Sequence, residues 1–129
     1  METKLAPSAK ENRRQALGKR GEDIAAAWLE ARGMTILMRN YRCKIGEIDI
    51  IGKIGNMTVF VEVRSRSSAV WGLPAESVNY KKQQKLRKAA SCYFAQKRQT
   101  DSICRFDVIS ILYDQHGNTD DVEWFADAF

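Results

Sequence analysis

A Gly55-Asn56 step between two β-rich runs constrains this chain more than any other feature, because such a dipeptide is a two-residue hairpin signal. The runs at residues 46–53 and 57–64 carry many β-branched side chains, which suit a pleated surface. If Gly55 and Asn56 form the loop, Ile54 pairs with Met57 and the register follows. Asp49 then stands opposite Glu62, and Glu47 opposite Arg64, with Cβ atoms of such pairs about 4.5–5.5 Å apart. The two-residue period puts all four side chains on one face. Facing carboxylates repel unless a cation lies between them. A divalent metal is one solution, and hard oxygen donors suit Mg2+ or Mn2+. The plainer alternative leaves Asp49 and Glu62 solvated, with Arg64 as their counter-ion.

The rest of the chain supplies elements around that hairpin. Residues 1–7 read as a loose leader, and residues 8–129 as one domain. Ser8 and Glu11 stand at capping-box spacing, so a long helix is expected from there to about Arg32, ending at Gly33. Its apolar stripe is Leu17, Gly21, Ile24, Ala25, Trp28 and Leu29. A strand is expected over residues 34–42, a loop over 65–76, and a second helix over roughly 78–98. Further strands are expected over 105–112 and around 122–124. The order α-β-β-β-α-β-β implies an α/β domain, a mixed β-sheet flanked by helices.

Two helix positions bear on the carboxylates. Glu22 falls at the edge of the first helix's apolar stripe, where it can look along the sheet. Lys82 falls inside the second helix's stripe of Leu86, Ala89 and Tyr93, with Lys85 at its edge. An inward lysine near carboxylates is a candidate for phosphate contact; snorkelling is the bland alternative. Arg64, Arg66, Lys81, Lys82, Lys85, Arg87 and Lys88 cluster in sequence and could track a phosphate backbone, although a basic helix face is commonly just solvated. Trp71 could stack on a base or cover the core edge. Asp107 reads as structural support for Arg105 or Lys82.

Composition agrees with a polyanion partner: 21 Lys+Arg stand against 16 Asp+Glu. The 44% hydrophobic content is enough for a core without a staple. Cys43, Cys92 and Cys104 are far apart in sequence and odd in number, which argues against a disulfide framework or zinc finger and for a reducing, cytoplasmic setting. His116, beside Gly117-Asn118, reads as a turn residue. No stretch approaches the roughly 20 apolar residues of a membrane span.

Several motifs occur together: Gly21-Glu22, Gly46-Glu47-Ile48-Asp49-Ile50-Ile51, Val59-Phe60-Val61-Glu62-Val63-Arg64-Ser65-Arg66, Ser77-Val78-Asn79, Lys82, Lys85-Leu86 and Arg105-Phe106-Asp107-Val108-Ile109. In this combination, over about residues 12–127, the chain closely resembles the YraN-like family of uncharacterised bacterial proteins. That family is similar to archaeal Holliday-junction resolvases and the PD-(D/E)xK nuclease superfamily. The resemblance implies a restriction-endonuclease-like fold and a Mg2+- or Mn2+-dependent nuclease acting on DNA or branched DNA. It makes Glu22 the helix carboxylate of the site, Asp49 and Glu62 the metal ligands, and Arg64 the occupant of the motif lysine position. Guanidinium stays protonated and cannot act as general base, so Lys82 is expected to supply the missing ammonium. The resembled junction resolvases act as dimers, which makes a homodimer one expectation. The alternatives are a catalytically silent nucleic-acid-binding module of the same fold, or a protein-interaction adaptor whose carboxylates are only salt-bridged.

Overall fold

The structure is a computed structural model that describes residues 9–67, 78–99 and 103–129, with side chains from residue 18 onward. The expected leader, the Ser8–Glu11 cap, the side chain of Leu17 and the Trp71 loop lie outside the described residues. The observed order is α1 (Ala9–Ala31), β1 (Thr35–Arg42), β2 (Glu47–Ile54), β3 (Met57–Ser67), α2 (Tyr80–Gln96), β4 (Cys104–Tyr113) and β5 (Thr119–Phe125). This is the α-β-β-β-α-β-β order expected, with β3 running three residues further than the sequence pattern suggests.

The five strands form one mixed sheet in the order β1-β2-β3-β4-β5. Only β3 and β4 are parallel, joined through the crossover that contains α2. The apolar residues sort into two layers. Ala25, Ala26 and Leu29 of α1 cover Ile50, Val59, Val61, Ile109 and Ile111. Leu86, Ala89, Ala90 and Tyr93 of α2 cover Ile51, Phe60, Phe106 and Val108 on the opposite face. Each of the Leu, Ile, Val and Phe side chains among these, fully buried, stabilises by roughly 1.5–3 kcal/mol. Among the described residues no helix is long and apolar enough to cross a membrane.

The helices stop and start where local chemistry dictates. Gly33 takes φ 98° just beyond α1, a conformation glycine adopts without a Cβ penalty. Met34 N–H then closes onto the Leu29 carbonyl at 3.1 Å. Asn79 caps α2, its side-chain oxygen accepting from the Lys82 N–H at 2.9 Å.

Asp107 is fully buried on β4 and saturated with donors. Arg105 Nε reaches it at 3.0 Å, Trp124 Nε1 at 2.8 Å and the Asp127 N–H at 2.9 Å. The partner anticipated for Asp107 is therefore Arg105, while Lys82 is engaged elsewhere. A buried carboxylate with this many donors fastens β5 and the C-terminal residues onto β4. His116 lies in the β4–β5 turn, its N–H donating to Asp114 Oδ1 at 2.8 Å, as a turn residue should.

One irregularity shapes the site. Simple alternation would put Ile48 on the α1 side with Ile50, yet Ile48 packs in the α2-side core beside Ile51. β1 shows the same switch, since Arg39 reaches α1 residues whereas Tyr41 packs on Tyr93 of α2. Asn40 lies between them at φ 54°, in the left-handed region that asparagine tolerates better than most residues. The ladder pairs Arg39 with Ile50 and Tyr41 with Ile48, so Asn40 and Asp49 share the kink.

Candidate active site

The hairpin register is the expected one. Ile54 pairs with Met57, and the ladder continues to Ile50 with Val61. The next position brings Asp49 alongside Glu62, and there regular pairing ends. At the kink the Asp49 carboxylate takes the place of a ladder carbonyl and accepts the Val63 N–H at 2.8 Å. Asp49 and Glu62 thus come together, as expected.

The outer pair of the expected register does not form. Glu47 stands off the site, paired with Arg42 of β1 at 3.3 Å, with both side chains largely exposed. The strands part after Asp49, so β2 follows β1 away from β3 and carries Glu47 with it. Arg64 turns instead to Glu62, with Nε 3.7 Å from Oε1.

Glu62 is the centre of the charge arrangement. Its side chain is only 7% exposed, and Lys82 Nζ lies 2.7 Å from Oε1. Lys82 is delivered by the first turn of α2, on the helix face that also carries Leu86, Ala89 and Tyr93. Its side chain is 41% exposed, so it serves Glu62 while still open to solvent.

Glu22 enters from α1. Gly21 is buried, and a Cβ there would collide with Ser65 Oγ of β3. The missing side chain lets α1 approach the sheet closely, which carries Glu22 to the edge of the carboxylate pair. Arg39 of β1 steadies that edge, with Nη2 2.7 Å from Asp23 and 3.7 Å from Glu22.

Asp49 registers this crowding. Burial raises its pKa most, and the charges of Glu62 and Glu22 raise it further. The Val63 N–H and the Lys82 ammonium oppose the rise, and the carboxyl is pushed up to about 7. Glu62 holds the two nearby cations, so Asp49 bears the uncompensated negative charge.

All donors here are carboxylate oxygens, the type that Mg2+ and Mn2+ take. No three His, Cys, Asp or Glu among the described residues are gathered to hold a metal ion by themselves. Asp49 and Glu62 are the two residues that could hold such an ion, since Mg2+ commonly takes only one or two carboxylates from a protein.

The basic residues divide into two groups. Lys82 and Arg64 point to the carboxylates. Lys81, Lys85 and Lys88 are spaced so that they follow one another along the outer side of α2. Arg66, two residues past Arg64 on β3, is half-buried. The sequence pattern gave no sign of the other flank. A cavity of about 730 Å³ opens beside Glu22, lined by Lys19, Asp23, Arg39, Asn40 and Arg42 among others. Only the tolerance of asparagine for left-handed backbone hinted at Asn40, and nothing in the β1 pattern set Arg39 apart.

The sequence pattern of the uncharacterised protein family UPF0102 matches residues 21–111, which include every carboxylate and cation of this site. The chain belongs to UPF0102. This is the YraN-like family its motifs resemble. A UPF0102 protein of Pelotomaculum thermopropionicum is 44% identical over 116 residues, covering 90% of this chain and 97% of the relative. One from Clostridium kluyveri is 46% identical over 113 residues, covering 88% of this chain and 93% of its own. A third, from Dictyoglomus turgidum, is 39% identical over 113 residues, with 88% and 96% covered. These UPF0102 relatives align along nearly their whole length.

Proposed function

We propose that this UPF0102 protein binds nucleic acid in the cytoplasm and hydrolyses phosphodiester bonds of DNA or branched DNA with Mg2+ or Mn2+. The observation that supports this reading is the meeting of Asp49 and Glu62, with Glu22 near enough to act on the charge of Asp49 and an ammonium 2.7 Å from Glu62. Asp49 and Glu62 would hold the ion. When bound, it would supply charge to the scissile phosphate and acidify a water. Asp49 must shed its proton first, and a pKa of about 7 leaves it half ionised at neutral pH. Lys82 holds a partly exposed ammonium against Glu62, from where it would neutralise charge developing on a non-bridging phosphate oxygen. Arg64 stays protonated, so it orients and neutralises but takes no proton. Lys81, Lys85 and Lys88 extend positive charge along the helix for the flanking backbone.

The silent binding module has one observation in its favour: Lys82 and Arg64 both lie against Glu62, so cations of the protein itself can balance its charge. A cleavage panel of branched, duplex and single-stranded substrates with Mg2+ or Mn2+ separates the two. The nuclease reading expects metal-dependent cleavage that Glu62→Ala abolishes and Arg64→Lys retains or raises. Salt-sensitive binding without cleavage, in wild type and Arg64→Lys alike, would favour the silent module. Neither binding nor cleavage would leave the adaptor.

A further inference from the structure

Cys43 and Cys92 are separated widely in sequence, but the fold brings their thiols into hydrogen-bond contact. Cys43 opens the β1–β2 turn, where its N–H donates to the Gly46 carbonyl at 2.9 Å. Cys92 lies on α2, next to Tyr93. Two further contacts hold these elements together beside the pair. Tyr41 meets Tyr93 edge to face at 5.5 Å between ring centres, and Tyr41 Oη donates to Gln96 Oε1 at 2.9 Å. The kink at Asn40 explains the approach, because it turns the tip of the β1–β2 hairpin toward α2.

The two sulfurs are not equivalent. Partial burial disfavours the Cys43 thiolate, but hydrogen bonds from the Ile45 and Gly46 backbone and from the Cys92 thiol outweigh it, so its pKa is lowered. Cys92 is the donor of that pair, and the contact with Cys43 raises its own pKa. Both side chains are only partly buried, so a small oxidant can reach them. Cys104 has no such partner among the described residues, and burial raises its pKa.

We infer that Cys43 and Cys92 form a reversible, peroxide-driven disulfide, with Cys43 the attacking sulfur and Cys92 the resolving one. The Cys43 thiolate attacks one oxygen of hydrogen peroxide. The O–O bond breaks, hydroxide leaves, and Cys43 becomes a sulfenic acid. Cys92 gives up its proton and attacks that sulfur; the S–O bond breaks, water leaves, and the S–S bond closes. Two thiols are oxidised and one peroxide is reduced to two waters. The bond joins the turn that leads into β2 and Asp49 to the helix that carries Lys82.

The test uses the full chain, reduced and then exposed to limiting hydrogen peroxide, with free thiols counted and peptides mapped by mass. Of the three thiols, two are expected to disappear together as a Cys43–Cys92 linkage within the monomer, restored by dithiothreitol, with Cys104 left free. Cys92→Ser should halt at a sulfenic acid on Cys43 that dimedone traps. Cys43→Ser should lose the fast reaction altogether. Oxidation that consumes Cys104 as readily, yields linkages only between molecules, or labels Cys92 rather than Cys43 as the sulfenic acid would overturn the inference.

Discussion

Among the described residues Asp49 is the carboxyl moved furthest from its ordinary value. Its ordinary value of 3.8 is pushed up to about 7, by burial first and then by Glu62 and Glu22. A carboxyl raised in the folded state favours folding while protonated. Its ionisation penalty is absent below about pH 4 and grows as pH rises, reaching full size above about 7. Each tenfold change in proton affinity is worth about 1.4 kcal/mol, which makes that penalty on the order of 4 kcal/mol. Asp49→Asn keeps an oxygen for the Val63 N–H but cannot ionise. It should therefore melt higher than wild type at pH 8, with the difference vanishing near pH 4. Millimolar Mg2+ at pH 8 should raise the wild-type melting temperature and leave Asp49→Asn unmoved. A wild-type melting temperature that climbs from pH 5 to 8 without metal would contradict this. The sequence made Asp49 and Glu62 legible through hairpin arithmetic alone, since a Gly-Asn step and a period of two need no tertiary information. The same arithmetic misplaced Glu47, because it assumed straight strands, and a left-handed Asn40 is a backbone event that residue types only permit.

Among elements, α1 owes its position to one absent side chain. Gly21 is buried where a Cβ would strike Ser65 of β3, whereas Gly18, one turn earlier, has nothing within 4 Å. The two glycines lie on the same helix and should respond oppositely. Gly18→Ala removes backbone freedom from the unfolded chain at no steric cost and should stabilise by about 0.5–1 kcal/mol. Gly21→Val should push α1 off the sheet and cost about 1–3 kcal/mol. Thermal melts of both variants check this, and Gly21→Val should also impair any function that needs Glu22 at the carboxylate pair. The α1 stripe and its Gly33 stop were plain in the sequence because helix period and capping are local. The close approach to Ser65 was not, since a glycine in an apolar stripe looks the same whether it faces a strand or empty space. β3 ran past its expected end for a related reason: Ser65, Arg66 and Ser67 read as loop by composition, but pairing with Ile111, Leu112 and Tyr113 keeps them extended.

At the scale of the whole molecule, the excess of 21 basic over 16 acidic residues is modest, so placement matters more than total charge. Lys81, Lys85 and Lys88 share the exposed side of α2, the helix whose Lys82 reaches Glu62. If that side tracks a nucleic-acid backbone, replacing Lys85 and Lys88 together by Ala should reduce the slope of log affinity against log salt by about two. Binding titrations from about 50 to 200 mM salt read the slope directly, and an unchanged slope would remove α2 from the interface. The mixed sheet and the element order were legible from alternating periodicity, and the division of the core into two helical layers followed. Three of the four strand contacts are antiparallel and local, while the parallel contact of β3 with β4 waits for the whole crossover to be made. Such non-local seams close late, because loop-closure entropy must be met before their contacts repay it. Asp49 and Glu62 belong to the early meander, and Lys82 belongs to the crossover. A chain still emerging from the ribosome therefore displays its acidic pair with only Arg64 beside it, and the order of synthesis makes the Lys82 contact a closing event of folding.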